Sequence, residues 1–275
     1  MRKGVRRVSA PHDLGALFPY ILKRRCDSLV YFPVDIDVEP LLDYLARGGS
    51  CTFFQAVLLA AVRTMWERPG LNRYVRGRRL FEREDVDVTF VARRAPTEEG
   101  GESTVKLSIP PGDGFDDILA KMTRDIRAVR DGEEKDDDAL IAALLRLPRF
   151  ALRAMVRFLG WLDFHGILFR DFEKIDPLHC SLFLANLGSV GIEAPFHHLY
   201  EWGNCSLFVA VGKIGKKLTV DDAGEVRVKT MVELKITLDE RIADGYYFAR
   251  SFDLMKSYLE NPAVLFETAK ARPVS

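Results

Sequence analysis

No apolar run in the 275-residue chain approaches the ~20 residues that a membrane-spanning helix needs. The basic opening MRKGVRRVSAPHD has no apolar stretch behind it, so it does not read as a secretory signal. Cysteine is scarce: Cys26, Cys51, Cys180 and Cys205 stand far apart, and no C-x-x-C pair is present to suggest a zinc or dithiol motif. Three of the four sit in apolar segments, which predicts core thiols in a reducing cytoplasm rather than disulfides. Net charge is also missing. Forty basic side chains balance forty acidic ones, so there is no basic surplus for coating nucleic acid, and no nucleic-acid partner is expected. Internal repeats and Ser/Gly linkers are absent too.

What is present is ample apolar material. At 48% hydrophobic residues the chain can bury a sizeable core, in one large or two small domains. Residues 1–27 read as a basic arm with a short helix, and 28–275 as a single domain. In LVYFPVDID (29–37), Val30, Phe32, Val34 and Ile36 face one way, which predicts a half-buried strand that Pro33 places near a sheet edge. A short helix is expected over about 39–46. TFFQAVLLAAVRTMWE (52–67) is apolar almost all round, hence a helix buried on most of its surface, capped by Thr52 or Ser50 and stopped before Pro69. Alternation predicts a hairpin through Val86–Ala92 and Val105–Ile109, and Asp116 to Arg130 reads as an amphipathic helix. The stretch GEEKDDD (132–138) reads as a solvated acidic loop. SLFLA (181–185) and SLFVAV (206–211) are apolar on both faces, as central strands are. A hairpin over 216–229, a strand over 233–240 and a helix from about Tyr246 to Glu260 complete the pattern.

Residues 139–170 stand apart. Two apolar helices meet at Pro148, and Arg146, Arg149, Arg153 and Arg157 recur at spacings of three and four, along one helix stripe. A membrane-surface or partner-docking pair is one reading. A packed helical hairpin with a solvated basic face is preferred, because interfacial helices usually carry more exposed aromatics.

The chemistry points to ELKITLDE (233–240). Leu234, Ile236 and Leu238 point to the core, and Glu240 continues their register. A carboxylate in that position loses hydration, which should raise its pKa and make it a candidate general base. The plainer reading pairs it with Arg241 or another arginine, in a structural role. Asp244, before Gly245 and a helix, is an N-cap by position.

The run Leu238-Asp239-Glu240-Arg241-Ile242-Ala243-Asp244-Gly245, followed by YYFARSF, resembles the H-x-x-x-D-G signature of the acyltransferase component of 2-oxo acid dehydrogenase complexes and of the related chloramphenicol acetyltransferases. ANLGSVG (185–191) with LFVAVGKI (207–214) is similar to that family's S-N-x-G-x-x-G loop and following strand. Residues 52–75 resemble its buried helix ending in P-x-L-N. The resemblance covers roughly 28–130 and 178–262, with 139–170 as an insertion.

The resemblance implies an α/β two-layer sandwich of the CoA-dependent acyltransferase (chloramphenicol acetyltransferase-like) fold, with a mixed sheet and a helical hairpin insertion. It implies a homotrimer with a small-molecule acyl donor and acceptor, and a coenzyme A thioester as substrate. In the family a histidine deprotonates the acceptor and a serine hydroxyl stabilises the oxyanion. Here Glu240 stands at the histidine position and Ala185 at the serine position. Asp244 and Asn186 carry over as catalytic-motif residues. Gly188, Ser189 and Gly245 are the expected cofactor-contacting positions, and no metal ligands are expected. An ordinary carboxylate lies ~4 pKa units below a thiol, so it is a weak base for that acceptor unless burial raises it. His179, His197, His198 and Cys180 read as structural rather than as a relocated base or metal pair. Tyr246 and Tyr247 read as packing residues or as part of a channel wall. With no lipoyl-bearing module, the chain is expected to lack its own swinging lipoyl group. Two readings follow: an acyltransferase with an atypical site, or a catalytically silent trimer of the same fold.

Overall fold

The computed structural model describes residues 4–10, 13–93, 101–131, 144–221 and 223–267. The acidic loop at 132–138 and the start of the insertion at 139–143 lie outside the described residues.

The main sheet has seven strands. They are β2 (Leu29–Asp37), β5 (Val86–Arg93), β6 (Glu102–Ile109), β7 (Leu182–Asn186), β8 (Leu207–Val211), β9 (Gly215–Val220) and β10 (Val226–Asp239). Their order is β2-β10-β8-β7-β5-β6, with β9 pairing on the remaining length of β10. The pairs β5/β7 and β7/β8 are parallel and the others antiparallel, so the sheet is mixed. Pro33 does sit on an edge strand, where its missing N–H removes no ladder bond from a second neighbour. The doubly apolar β7 and β8 are central, as their composition requires.

The residues 226–239 form one continuous strand instead of a separate hairpin arm and strand. Its middle, Thr230-Met231-Val232, has no turn residue and is β-prone, so the chain has no reason to break there. β10 therefore becomes the hub that joins β9, β2 and β8.

One face of this sheet is covered by helices. They are α2 (Glu39–Ala46), α3 (Phe53–Glu67), α4 (Phe115–Arg130) and, after the signature turn, α7 (Gly245–Glu260). Leu184, Val209, Leu234 and Ile236 meet Leu58, Met65, Phe248 and Met255 in the main core. Thr52 caps α3 with a capping box: its hydroxyl accepts from the Gln55 amide and its own amide donates to the Gln55 side chain. The opposite face is covered by the segment 187–205, in a smaller cluster around Cys180, Phe183, Cys205 and Phe208. Both faces of the last four residues of β10 are thus buried, and Thr237 and Asp239 are as inaccessible as Ile236 and Leu238. The buried Cys180 and Cys205 fit the core-thiol reading, whereas Cys51 is half-buried and Cys26 exposed.

A small second sheet, β1 (Val5–Val8), β4 (Arg79–Arg83) and β3 (Arg73–Arg76), has the order β1-β4-β3. Part of the basic arm is therefore strand, a pairing that its four residues alone do not signal. Helix α1 (Asp13–Ile21) follows it. After Pro148, α5 (Arg149–Phe164) is followed by a turn through Gly166 (φ 71°) and by α6 (Arg170–Ile175).

Candidate active-site cleft

The turn after β10 is built around a buried carboxylate, and that carboxylate is Asp239 rather than Glu240. Asp239 Oδ1 accepts hydrogen bonds from Ser28 Oγ (2.9 Å), from the Arg241 amide (3.1 Å) and from Arg241 Nε (2.8 Å). Its Oδ2 accepts from Arg241 Nη2 at 2.6 Å, and Arg25 Nε lies 3.8 Å away. Burial opposes the charge on Arg241, but the hydrogen bonds and charge of Asp239 outweigh it and hold the guanidinium's pKa above its ordinary value. Arg241 also donates to the Leu22 carbonyl, and Arg25 donates to the carbonyls of Tyr200 and Gly203. This network ties the signature turn to the segment before β2 and to the 200–204 loop.

The expected position of Glu240 is corrected accordingly. The strand ends at Asp239, Glu240 lies in the turn, and its side chain is half-buried rather than sealed on the core face. Period-two counting places the acid in the core only if the strand runs one residue further. The Glu240 amide donates to the Ser28 carbonyl (2.9 Å), which fixes its backbone. Its carboxylate has no hydrogen-bond or ion-pair partner among the described residues, since Arg241 is committed to Asp239.

Glu240 lines a cleft of about 310 Å³ together with Phe18 of α1, Val30 and Phe32 of β2, and Asp244 and Phe248 of the turn and α7. The walls are mainly apolar and the acid stands among them as a polar group. Asp244 is exposed and caps α7, its Oδ1 accepting from the Tyr247 amide at 2.8 Å. Gly245 is the first residue of that helix. Tyr246 is exposed. The Tyr247 hydroxyl accepts from the Gly70 amide (2.8 Å) and its ring lies under Arg68 (4.0 Å), so Tyr247 locks the P-x-L-N turn onto α7. Asn72 of that turn donates to the carbonyls of Arg83 and Asp85.

The glycine loop lies elsewhere. Ala185 pairs with Ala210, and Ala210 with Lys235, so the loop level is five residues up β10 from Glu240. At ~3.3 Å per residue this is ~16 Å along the strand. Within one chain Asn186, Gly188 and Ser189 therefore do not meet Glu240. In the loop, the Ser189 hydroxyl donates to the Asn186 carbonyl (2.8 Å) and its amide to the Asn186 side chain (3.3 Å). A Cβ at Gly188 would strike the Gly212 carbonyl, so only glycine lets the two backbones approach there.

None of the described histidines lines the cleft. His197 stacks on Phe208 (4.1 Å between centroids) and on His198 (4.6 Å). His179 is buried beside Asp176 (2.9 Å) and Asp163 (3.4 Å). Asp163, Glu173 and His179 are close enough to share a cation, but Arg76 Nη2 already bridges Asp163 (2.8 Å) and Glu173 (2.7 Å). A guanidinium in that place supplies the positive charge that a metal would supply. Periodicity could not find Arg25, Ser28 and Phe18 as parts of the site. The only local signal was the i, i+2 pair Asp239 and Arg241.

Comparisons with known proteins bear on the fold and on one stretch of the sequence. Residues 179–267 match the family model of the 2-oxoacid dehydrogenases acyltransferase (catalytic domain). No protein of curated function matches the chain. Among solved structures, a probable dihydrolipoamide acetyltransferase from Listeria monocytogenes is 15% identical, covering 92% of this chain and 94% of its own, with a TM-score of 0.58. A dihydrolipoamide acetyltransferase from Azotobacter vinelandii, described through the roles of a serine, a histidine and an asparagine in its catalytic mechanism, is 16% identical over 92% of this chain and 88% of its own, with a TM-score of 0.52. A chloramphenicol acetyltransferase is 12% identical over 93% and 99%, with a TM-score of 0.53. The chain therefore has the α/β fold of these acetyltransferases over about 92% of its length, and residues 179–267 carry its resemblance to the 2-oxoacid dehydrogenase acyltransferase catalytic domain in sequence as well.

Proposed function

We propose that this chain handles an acyl-CoA or another acyl thioester and transfers the acyl group, with Glu240 taking the proton of the acceptor or orienting it. The observation that carries the reading is the unpartnered Glu240 carboxylate on the lip of an apolar cleft, at the signature position that a histidine holds in the family. The turn beneath it is held by Asp239 and Arg241, so the carboxylate is presented by a stiff backbone rather than by a loose loop. The Asn186–Ser189 loop would contribute from a neighbouring copy, in a homotrimer. The ~16 Å offset within one chain supports that arrangement. So does the exposed apolar surface of the β9–β10 hairpin at Leu218, Val220, Val226 and Val228.

The second reading, a silent binding protein of the same fold, is favoured by one observation. Ala185 brings no hydroxyl to the loop, and the Ser189 hydroxyl is committed to the Asn186 carbonyl. Loss of one oxyanion donor costs on the order of 100- to 1000-fold in turnover. A panel of acyl-CoAs and acceptors separates the two. Acyl transfer predicts CoA release that Glu240→Gln abolishes while the melting transition stays in place. Absence of release across the panel, with the thioesters still binding, selects the silent reading. Sedimentation equilibrium tests the trimer.

A further inference from the structure

The outer face of α5 sets exposed rings among guanidinium groups. At 3.6 residues per turn, Phe150, Arg157, Trp161 and Phe164 fall within roughly 60° of one another, with Arg153 and Phe158 beside them. All six are exposed, Phe150 at 79%, Phe158 at 57% and Trp161 at 53%. Phe158 and Trp161 stack on each other, with centroids 6.3 Å apart, rather than on the domain. The inward side carries Met155, Leu159 and the buried Leu162. The helix thus has apolar groups on both sides, and its outward side alternates rings with guanidinium groups. This removes the reason for preferring a merely solvated basic face, because the exposed aromatics are present.

Charge identifies the occupant. Residues 144–170 hold five arginines and a single acid, Asp163, which is bound to Arg76. Arg146, Arg149, Arg153, Arg157 and Arg170 are exposed and have no carboxylate partner among the described residues. The chain as a whole is neutral, so this is segregation of charge, not a general surplus. The face is also held outward. Arg76 clamps Asp163 at the end of α5 and Glu173 in α6, Lys106 Nζ donates to the carbonyls of Glu173 and Asp176, and Leu162 and Leu168 are buried.

We propose that α5 lies flat on an anionic membrane surface, with Phe150, Phe158, Trp161 and Phe164 entering the headgroup–acyl boundary and the arginines contacting lipid phosphates. Rings set between guanidiniums on one face suit that interface, where amphipathic aromatics and cations occupy the same depth. No described helix is long and apolar enough to cross a membrane, so the contact is peripheral.

The test uses the full chain with sedimented vesicles of phosphatidylcholine, with and without phosphatidylglycerol. The expected result is binding to the anionic vesicles only, weakening as salt rises over the range where the Debye length shrinks. Arg153→Glu with Arg157→Glu should weaken it by ~10- to 100-fold, at ~1 kcal/mol per arginine near the surface. Trp161→Ser should weaken binding without removing its salt dependence, and Glu240→Gln should leave it unchanged. Failure to bind anionic vesicles, or unaltered binding by the double arginine variant, overturns the proposal. So does a change of solution mass in Trp161→Ser, which would mean that the face is buried between copies. Binding to single-stranded DNA in place of vesicles overturns it as well.

Discussion

The Asp239 turn and the Asp163–His179 cluster both bury carboxylates beside arginine, yet they hold the molecule in different ways. In the turn both oxygens of Asp239 accept from Ser28 or Arg241, and none of these contacting side chains is a histidine. In the cluster the carboxylates of Asp163, Asp176 and Glu173 surround one imidazole and one guanidinium. The first is a fixed joint under the candidate site. The second fastens α5 and α6 to the rest of the structure and contains a histidine, the side chain whose charge changes most readily under physiological conditions.

The sharpest way to break the comparison is Asp239→Ala. It leaves Arg241 and Arg25 buried without their counter-charge, and removal of one partner from a buried pair costs about 3–5 kcal/mol. A loss of that size in urea unfolding, with the whole chain melting together, is the expected outcome; a loss below ~1 kcal/mol would show that the turn is not a joint.

A smaller effect should appear in the cluster as a pH dependence. Burial by itself lowers the pKa of His179, but hydrogen bonds and charge from Asp163 and Asp176 outweigh it and leave the value raised. Burial raises Asp176, yet the hydrogen bond and charge of His179, with donors from Leu178 and Trp202, leave it lowered. A raised histidine contributes stability that is complete below its unfolded value of ~6.5 and fades as pH climbs through the folded value. A lowered aspartate contributes above its unfolded ~3.9 and fades as pH falls through the folded value. Hydrogen-exchange protection of α5 and α6 should therefore be highest between about pH 4 and 6.5 and decline on the alkaline side. The β10 amides should show no such decline once the intrinsic exchange rate is corrected. Equal decline in both regions would erase the distinction.

The smallest effect concerns the site's own acid. Glu240 has no partner among the described residues and stands half-exposed, so Glu240→Gln should change stability by no more than about 0.5 kcal/mol, whereas Asp244→Ala, which removes the α7 cap, should cost about 1 kcal/mol. Both are read from the same unfolding curves. A large loss in Glu240→Gln would mean that the carboxylate serves the fold and not the cleft.

Much of the architecture was legible because short-range physics decides it. The alternation of β2, the doubly apolar β7 and β8, and the capping of α3 by Thr52 and of α7 by Asp244 depend on residues within a few positions of one another. The candidate site stands out in the sequence as a motif, but its geometry does not. The pattern in ELKITLDE assigns Glu240 to a buried face, but that inference holds only while the strand continues. Asp239 ends it by taking donors from Ser28, 211 residues away in the chain. No local period reports the arrival of Arg25 and Ser28 beneath the turn. None reports that a second layer, the 187–205 segment, covers the face of β10 on which Thr237 and Asp239 lie.

Residue order alone settled the half-buried β2, the doubly apolar β7 and β8 and the capped starts of α3 and α7, because those properties belong to side chains and their near neighbours. Tertiary structure decided which acid is buried, how far the glycine loop stands from Glu240, and which side of the arginine-bearing helix faces outward. These depend on the desolvation and pairing of groups far apart in the chain, and burial is a property of what packs above a residue rather than of the residue itself.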